Sequence, residues 1–185
     1  MELQYLHNKL LRFVEKIFSK SNFLTKFYVD IQERTVLEEF SQFDLNMNSK
    51  VLIMGCGSIP NTVISLARNK KWEIVSIDRD EIAVRNAEKI IDRYGLKNVI
   101  VKKADGMEVD LKGYNLIVVA LGIEPKNRVL ERISKDADSG TYILCRTAGA
   151  FSKIFGKENL KVNGLKMIKR YRRKDGTESI VFVKE

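Results

Sequence analysis

The chain has 185 residues, which is enough for one domain with a substantial core and a short extension. Its 33 Lys and Arg residues outnumber 24 Asp and Glu residues, so the net charge of +9 admits a polyanionic partner without requiring one. Cys56 and Cys145 lie far apart in apolar contexts, and the one histidine is His7. These residues argue against a disulfide framework and a protein-bound metal, and they favour reduced thiols in a cytoplasmic protein.

Apolar residues recur at helical spacing in the first segment of the chain, over residues 3–18. Charged residues interrupt this pattern, so the segment is too polar and too short to span a membrane or to act as a signal peptide. We expect an amphipathic helix that packs as a lid over the following domain or forms a homodimer. Polar residues over 46–50 mark a boundary, which predicts a helical extension over 1–49 and an α/β domain over 50–185.

The next segment combines an apolar strand, a glycine turn and a helix, VLIMGCGSIPNTVISLAR over 51–68, and a second strand ends at Asp78. Gly55 and Gly57 can adopt positive φ and place no side chain between the turn and a ligand. Asp78 lies at the tip of its strand, where it can accept hydrogen bonds from both ribose hydroxyls of a nucleoside. This order predicts a nucleotide site, with a tight turn of an ordinary parallel α/β domain as the alternative.

The residues that the loop lacks narrow the choice of nucleotide. A dinucleotide fingerprint requires a third glycine where this loop has Pro60, which disfavours NAD. A triphosphate loop requires a Lys-Ser or Lys-Thr pair, and this loop has none. A nucleoside without phosphates fits best, and S-adenosylmethionine (SAM) is the common one.

The downstream segments alternate strands and helices. We predict strands over 72–77, 99–102, 114–121 and 141–145, and helices over 80–94 and 125–134. The apolar face of the first of these helices contains Ile82, Ala83, Ala87, Ile90 and Ile91. This alternation requires right-handed crossovers and a parallel sheet. Asp105 follows the third strand, where its carboxylate is placed either to accept the exocyclic amine of adenine or to cap a turn.

Two extended segments over 165–172 and 178–184 are joined through Lys174-Asp175-Gly176, and Asp-Gly is a favoured pair in tight hairpin turns. The basic residues of this hairpin are Lys166, Lys169, Arg170, Arg172, Arg173 and Lys174. They would attract phosphates, but Tyr171 is the one evident stacking platform for a base. We therefore interpret the segment as a solvated hairpin and do not expect a nucleic-acid partner.

A parallel sheet that ends in an antiparallel hairpin resembles the class I SAM-dependent methyltransferases, and this resemblance covers residues 51–185. The chain departs from their common pattern at Ile53, where an acid is frequent, and at Ile59, where a third glycine is usual. These departures resemble a narrower family, the nicotianamine synthases and related opine-type metallophore enzymes. The segments that carry this resemblance are Pro60-Asn61-Thr62, ALGIEPK over 120–126 and RTAGAF over 146–151.

The resemblance implies a doubly wound, mostly parallel α/β sheet that binds SAM as a co-substrate. It further implies transfer of the 3-amino-3-carboxypropyl group of SAM, and not its methyl group, to an amine. Family members have a larger amino-terminal helical domain, whereas only about 50 residues precede the first strand here. Ile31 aligns where they have a tyrosine, with Tyr28 one helical turn earlier, so a truncated relative with another acceptor is an alternative.

The predicted cofactor-binding residues lie in the glycine loop and at the strand ends. They are Gly55, Cys56, Gly57, Ser58, Pro60, Thr62, Asp78, Arg79, Asp105, Gly106 and Ala120. An amine acceptor must lose a proton, so a carboxylate or phenolate near the reacting carbon is useful as a base. The candidates are Tyr28, Glu38, Glu39 and Glu124. Arg146 is predicted to pair with a carboxylate of an amino-acid acceptor, with a surface ion pair as the alternative.

We therefore predict a SAM-dependent transferase that acts on a small amine or amino acid, with aminocarboxypropyl transfer as the first hypothesis. Methyl transfer to a small molecule is the second hypothesis, and methylation of RNA is less favoured. A non-catalytic SAM-binding protein is the third hypothesis, which a cleft left uncovered by the short extension would favour.

Overall fold

The computed structural model describes residues 22–149 and 160–185. The described helices are α1 (Asn22–Phe40), α2 (Asn61–Asn69), α3 (Glu81–Arg93) and α4 (Lys126–Asp136). The described strands are β1 (Lys50–Met54), β2 (Glu73–Asp78), β3 (Val99–Lys103), β4 (Leu116–Val119), β5 (Tyr142–Thr147), β6 (Leu165–Arg172) and β7 (Glu178–Lys184). The predicted helix and dimer contact over 3–18 lie outside the described residues. None of the described helices is long and apolar enough to cross a membrane.

The seven described strands form one sheet in the order β3-β2-β1-β4-β5-β7-β6. Strands β1 to β5 are parallel, whereas β7 runs antiparallel to both β5 and β6. This arrangement confirms the predicted class I methyltransferase architecture with its carboxyl-terminal hairpin. The strand order reverses between β1 and β4, because the chain builds outward to β3 and then returns beside β1. Parallel α/β sheets bind their ligands beyond the carboxyl ends of the strands at such a reversal.

The central strands are buried on both faces, which explains their continuous apolar sequences. In β1, Val51 and Ile53 belong to one core cluster, while Leu52 and Met54 belong to the other. Helix α1 contributes three fully buried side chains to the first cluster: Val29, Val36 and Phe40. Helix α1 therefore shares the core on this face of the sheet, and the division of the chain at residue 49 into two domains stays a prediction.

Several details differ from those that the sequence predicts. Strand β4 is shorter than predicted, and β5 extends to Thr147 because it pairs with β7 as far as Glu178. Ile82, which the helical pattern places on the buried face of α3, is 54% exposed. It lies in the first turn of α3 and lines the cleft at the strand ends, where the sheet does not cover it.

Substitution of Gly149 by alanine tests how tightly the end of β5 packs against the turn between β6 and β7. Its φ is +56°, and a Cβ atom there would lie 2.6 Å from the carbonyl oxygen of Gly176. Gly113 is the matched control, since its φ is +76° and no described atom would lie within 4 Å of the added carbon.

We expect Gly113→Ala to lower the free energy of unfolding by about 1 kcal/mol, because the left-handed backbone is strained for alanine. We expect Gly149→Ala to lower it by about 2 to 4 kcal/mol, because overpacking adds to the same strain. Urea unfolding measures both values. Equal losses in the two variants would contradict the tight packing at Gly149.

Candidate active site

A cleft of about 800 Å³ opens at the carboxyl ends of the central strands. It is lined by every residue predicted to bind the cofactor: Gly55, Cys56, Gly57, Ser58, Pro60, Thr62, Asp78, Arg79, Asp105, Gly106 and Ala120. Three of the predicted catalytic residues also line it: Tyr28, Glu124 and Arg146. The structure thus brings these residues together in one cavity, and their individual roles stay predictions.

The glycine loop leaves β1 and crosses the strand ends toward α2. Gly55 and Gly57 have φ values of +87° and +65°, as the predicted turn requires. The N–H of Gly55 donates to the Ile77 carbonyl at 2.8 Å, and the N–H of Gly57 donates to Oδ2 of Asp78 at 3.0 Å. A Cβ atom at Gly55 would lie 3.1 Å from the Cβ of Ala120. The loop therefore packs so closely against its neighbours that a side chain at Gly55 would displace them.

Asp78 and Asp105 lie in the cleft at the ends of β2 and β3. Oδ1 of Asp78 accepts a hydrogen bond from the N–H of Asp80 at 3.0 Å. With the contact to Gly57 this uses two of about four lone-pair sites of the carboxylate, which leaves capacity for ribose hydroxyls. Oδ1 of Asp105 accepts from the N–H of Met107 at 2.8 Å. Asp105 therefore does cap a turn, and a contact with adenine stays a prediction for its other oxygen.

The segment after β4 is held by a buried lysine. The side chain of Lys126 is 3% exposed, and its Nζ donates to the Leu121 carbonyl and to Oε1 of Glu124, both at 2.9 Å. This contact fixes one wall of the cleft. Glu124 keeps 44% of its side chain exposed and remains a candidate base.

Two adjacent glutamates at the end of α1 have opposite environments, because neighbouring side chains on a helix point about 100° apart. Glu38 is not among the residues that line the cleft. Its Oε1 accepts hydrogen bonds from Nε of Arg34 at 2.9 Å and from Nζ of Lys174 at 2.8 Å. The structure therefore gives no support to Glu38 as a base. Glu39 is fully buried, at 0% exposure.

Glu39 is bound by two arginines and a serine. Nε of Arg146 donates to Oε1 at 3.1 Å, and NH2 of Arg146 donates to Oε2 at 2.6 Å. Arg173 donates to Oε2, and the hydroxyl of Ser179 donates to Oε1. Burial alone would raise the pKa of Glu39, but attraction to Arg146 and its hydrogen bond, with Arg173 and Ser179, hold that pKa below its usual range. Glu39 is therefore an ionised anchor and a poor proton acceptor.

Arg146 connects this buried carboxylate to the cleft. Its side chain is 13% exposed, and its NH1 donates to Oγ1 of Thr62 at 2.9 Å. This hydrogen bond joins the Pro60-Asn61-Thr62 element to the Arg146-Thr147 segment, two of the motifs that carry the resemblance. The surface ion pair considered for Arg146 is instead a buried one with Glu39.

Arg173 is not a solvated residue of the basic hairpin, as the charge pattern suggested. Its side chain is 4% exposed, because the turn between β6 and β7 folds back against the end of α1. Nε of Arg173 donates to Oδ2 of Asp175 at 3.1 Å. Burial would raise the pKa of Asp175, but hydrogen bonds from Thr177 and Arg173 lower it below its usual range.

Sequence reasoning missed three residues that line the cleft: Gln32, Asp175 and Thr177. They line it together with Tyr28 and Arg146, which the sequence does predict. Gln32 follows Tyr28 by one helical turn on α1, a spacing that could have indicated a shared face. Asp175 and Thr177 gave no signal beyond that of an ordinary turn.

The family model of protein-L-isoaspartate(D-aspartate) O-methyltransferase (PCMT) matches residues 19–142, which is more than half of the chain. The chain belongs to this family. It is a SAM-dependent transferase of the class I superfamily, which confirms the predicted enzyme class and co-substrate. No protein with a curated description matches the sequence significantly. The PCMT match ends before Arg146 and before the β6–β7 hairpin.

Solved structures share the fold at low sequence identity. A variant of the nicotianamine synthase MtNAS in complex with SAM has a TM-score of 0.82 and 19% identity, over 99% of this chain and 75% of that one. MtNAS in complex with MTA and tNA has a TM-score of 0.81 and 21% identity, over 97% and 72%. A SAM-dependent methyltransferase from Aquifex aeolicus has a TM-score of 0.67 and 17% identity, over 87% and 97%.

Glu39→Gln tests the buried anchor, and Glu38→Gln is the matched control on the neighbouring residue. At neutral pH we expect Glu39→Gln to lower the free energy of unfolding by about 3 to 5 kcal/mol, because it leaves two buried guanidinium groups without their shared anion. Glu38→Gln should have a much smaller effect, since the Glu38 side chain is 34% exposed and its partners Arg34 and Lys174 lie at the surface. Urea unfolding gives both values.

The loss of unfolding free energy in Glu39→Gln should depend on pH in one direction. Because folding lowers the pKa of Glu39, its contribution is complete above the ordinary pKa of 4.5 and is lost as the pH falls through the lower folded value. The difference in the free energy of unfolding between the wild-type protein and Glu39→Gln should therefore become smaller at acidic pH. A difference that becomes larger at acidic pH would contradict an ionised Glu39.

Proposed function

We propose that the protein transfers the 3-amino-3-carboxypropyl group of SAM to the nitrogen of a small amine or amino acid and releases methylthioadenosine (MTA). The observation that carries this proposal is that one cleft contains Asp78 and Asp105 together with a second group of polar residues, which we call the acceptor end: Tyr28, Gln32, Arg146, Asp175 and Thr177. The volume of the cleft lies in the upper part of the range for small-molecule sites, as a site for two reactants requires. The fold shared with MtNAS, over nearly the whole chain, adds support.

In this arrangement each part of SAM has a partner in the cleft. Asp105 receives the adenine amine, and Asp78 receives the ribose hydroxyls through the lone pairs that Gly57 and Asp80 leave. The glycine loop allows the sulfonium to approach the strand ends. The methionine part of SAM then extends past Thr62 toward Arg146.

The reaction is a substitution at a carbon next to the sulfonium. The lone pair of the acceptor nitrogen attacks the γ-carbon of the methionine part, the bond from that carbon to sulfur breaks, and its electron pair stays on sulfur in MTA. The nitrogen releases its proton to a base, for which Tyr28 and Glu124 are the candidates in the cleft. SAM is already activated, so the protein contributes mainly alignment and exclusion of water.

Methyl transfer is the second candidate function, because the PCMT model describes an O-methyltransferase family. That match covers the glycine loop, Asp78 and Asp105, which hold SAM in either reaction. It does not reach Arg146, Asp175 or Thr177 at the acceptor end. The match therefore supports the cofactor and leaves open which carbon of SAM reacts.

The basic hairpin favours a small acceptor over a nucleic acid. Three of its basic residues are ion-paired: Arg170 with Glu178, Arg173 with Glu39 and Lys174 with Glu38. These pairs reduce the positive charge available to a phosphate backbone.

Asp78→Asn tests the ribose contact. We expect it to weaken SAM binding by about 1.5 to 3 kcal/mol, because a charge-assisted hydrogen bond becomes neutral. Asp110→Asn is the control, since Asp110 caps the N–H of Lys112 at 3.1 Å and does not line the cleft. Titration calorimetry measures both affinities. Equal SAM affinities of the wild-type protein and Asp78→Asn would show that Asp78 does not bind SAM.

The identity of the by-product tests the reaction itself. Incubation with SAM and a panel of amines and amino acids should release MTA, because the bond to the γ-carbon breaks. Liquid chromatography separates MTA from S-adenosylhomocysteine, which methyl transfer would leave. S-adenosylhomocysteine alone would establish the second candidate function, and neither compound above a no-enzyme control would favour a binding role.

A further inference from the structure

We propose that Glu39 is a positioning residue for the acceptor end, which holds Arg146 in one orientation beside the reacting groups. This inference rests on the proposed function and goes beyond it, because it assigns a role to a buried residue that does not line the cleft. Glu39 acts through Arg146 and is not itself in contact with a substrate.

The geometry of Arg146 supports this role. A guanidinium has five N–H donors. Arg146 uses two of them in a fork on Glu39 and a third on Thr62. Its guanidinium also lies 5.9 Å from the ring centroid of Phe40. Within the described part of the chain, this leaves two donors of a fixed cation for groups that enter the cleft.

The surroundings of Glu39 explain why the fork is rigid. Arg173 and Ser179 bind the same carboxylate from the hairpin, so each oxygen of Glu39 accepts from Arg146 and from one further donor. A glutamine here could offer one acceptor oxygen, and its amide nitrogen would face N–H donors. The two guanidinium groups would then repel each other without a shared anion, and Arg146 would lose its orientation.

Glu39 also anchors the helix that presents the other side of the acceptor end. Tyr28 and Gln32 precede Glu39 on α1 by about three and two helical turns, on the same side of the helix. Both line the cleft. One carboxylate thus sets the position of α1 relative to Arg146, and so the width of the acceptor end between them.

Steady-state kinetics of Glu39→Gln tests this role. The acceptor probes are the proteinogenic amino acids and 1,3-diaminopropane, with MTA measured by chromatography and SAM affinity by calorimetry. We expect the acceptor KM to rise about tenfold or more, with SAM affinity within about threefold of wild type, because the effect is confined to the acceptor end. A merely structural role would weaken both alike.

Two further variants complete the experiment. Glu33→Gln is the control on the same helix, where Glu33 accepts from Asn69 at 2.8 Å and does not line the cleft. It should leave the acceptor KM within about twofold of wild type. Ser179→Ala removes one donor to Glu39 with little change in volume, and should raise the acceptor KM about threefold. If Glu39→Gln does not fold, the acceptor KM of Ser179→Ala tests the role of Glu39 in its place.

The outcomes separate this inference from the proposed function. Wild-type protein that forms no MTA with any probe would overturn both. Wild-type protein that forms MTA, with an unchanged acceptor KM in folded Glu39→Gln, would overturn the role of Glu39 alone. Equal losses of SAM affinity and acceptor affinity in Glu39→Gln would also overturn the role of Glu39. If Glu39→Gln is unfolded, an unchanged acceptor KM in Ser179→Ala would overturn it.

Discussion

The buried carboxylate of Glu39 is the contact on which the candidate site depends. It joins three parts of the chain that are distant in sequence: the end of α1, the end of β5 and the hairpin turn. Two guanidinium groups in a protein interior carry a large desolvation penalty unless an anion neutralises them. Since Arg146 and Arg173 share Glu39, one buried anion holds these three parts of the chain together.

The two halves of the cleft are built in different ways. The cofactor half comes from consecutive elements, since the glycine loop and Asp78 belong to one strand-helix-strand unit and Gly57 binds Asp78 directly. The acceptor half is assembled from residues more than 100 positions apart, such as Glu39 and Arg146. The family match covers the first half, and of the second half it covers the residues of α1 but not Arg146 or the hairpin.

Periodicity and turn chemistry predict most of the fold and the cofactor half, because both depend on local sequence. Alternating strands and helices, the positive φ of Gly55 and Gly57, and the Asp-Gly hairpin all have local signatures. The pairing of Arg173 with Glu39 spans 134 residues and has no local signature, so the sequence pattern places Arg173 with its basic neighbours. The sequence does not distinguish Glu38 from Glu39, because only the packing of α1 determines which of them faces the core.

A crystal structure of the protein with SAM bound would test the central claim most directly, because it shows which carbon next to sulfur faces the acceptor end. The account predicts adenine beside Asp105, ribose hydroxyls on Asp78, and the γ-carbon of the methionine part directed toward Tyr28 and Arg146. A structure in which the methyl group points there, with the methionine tail directed away from Arg146, would contradict it.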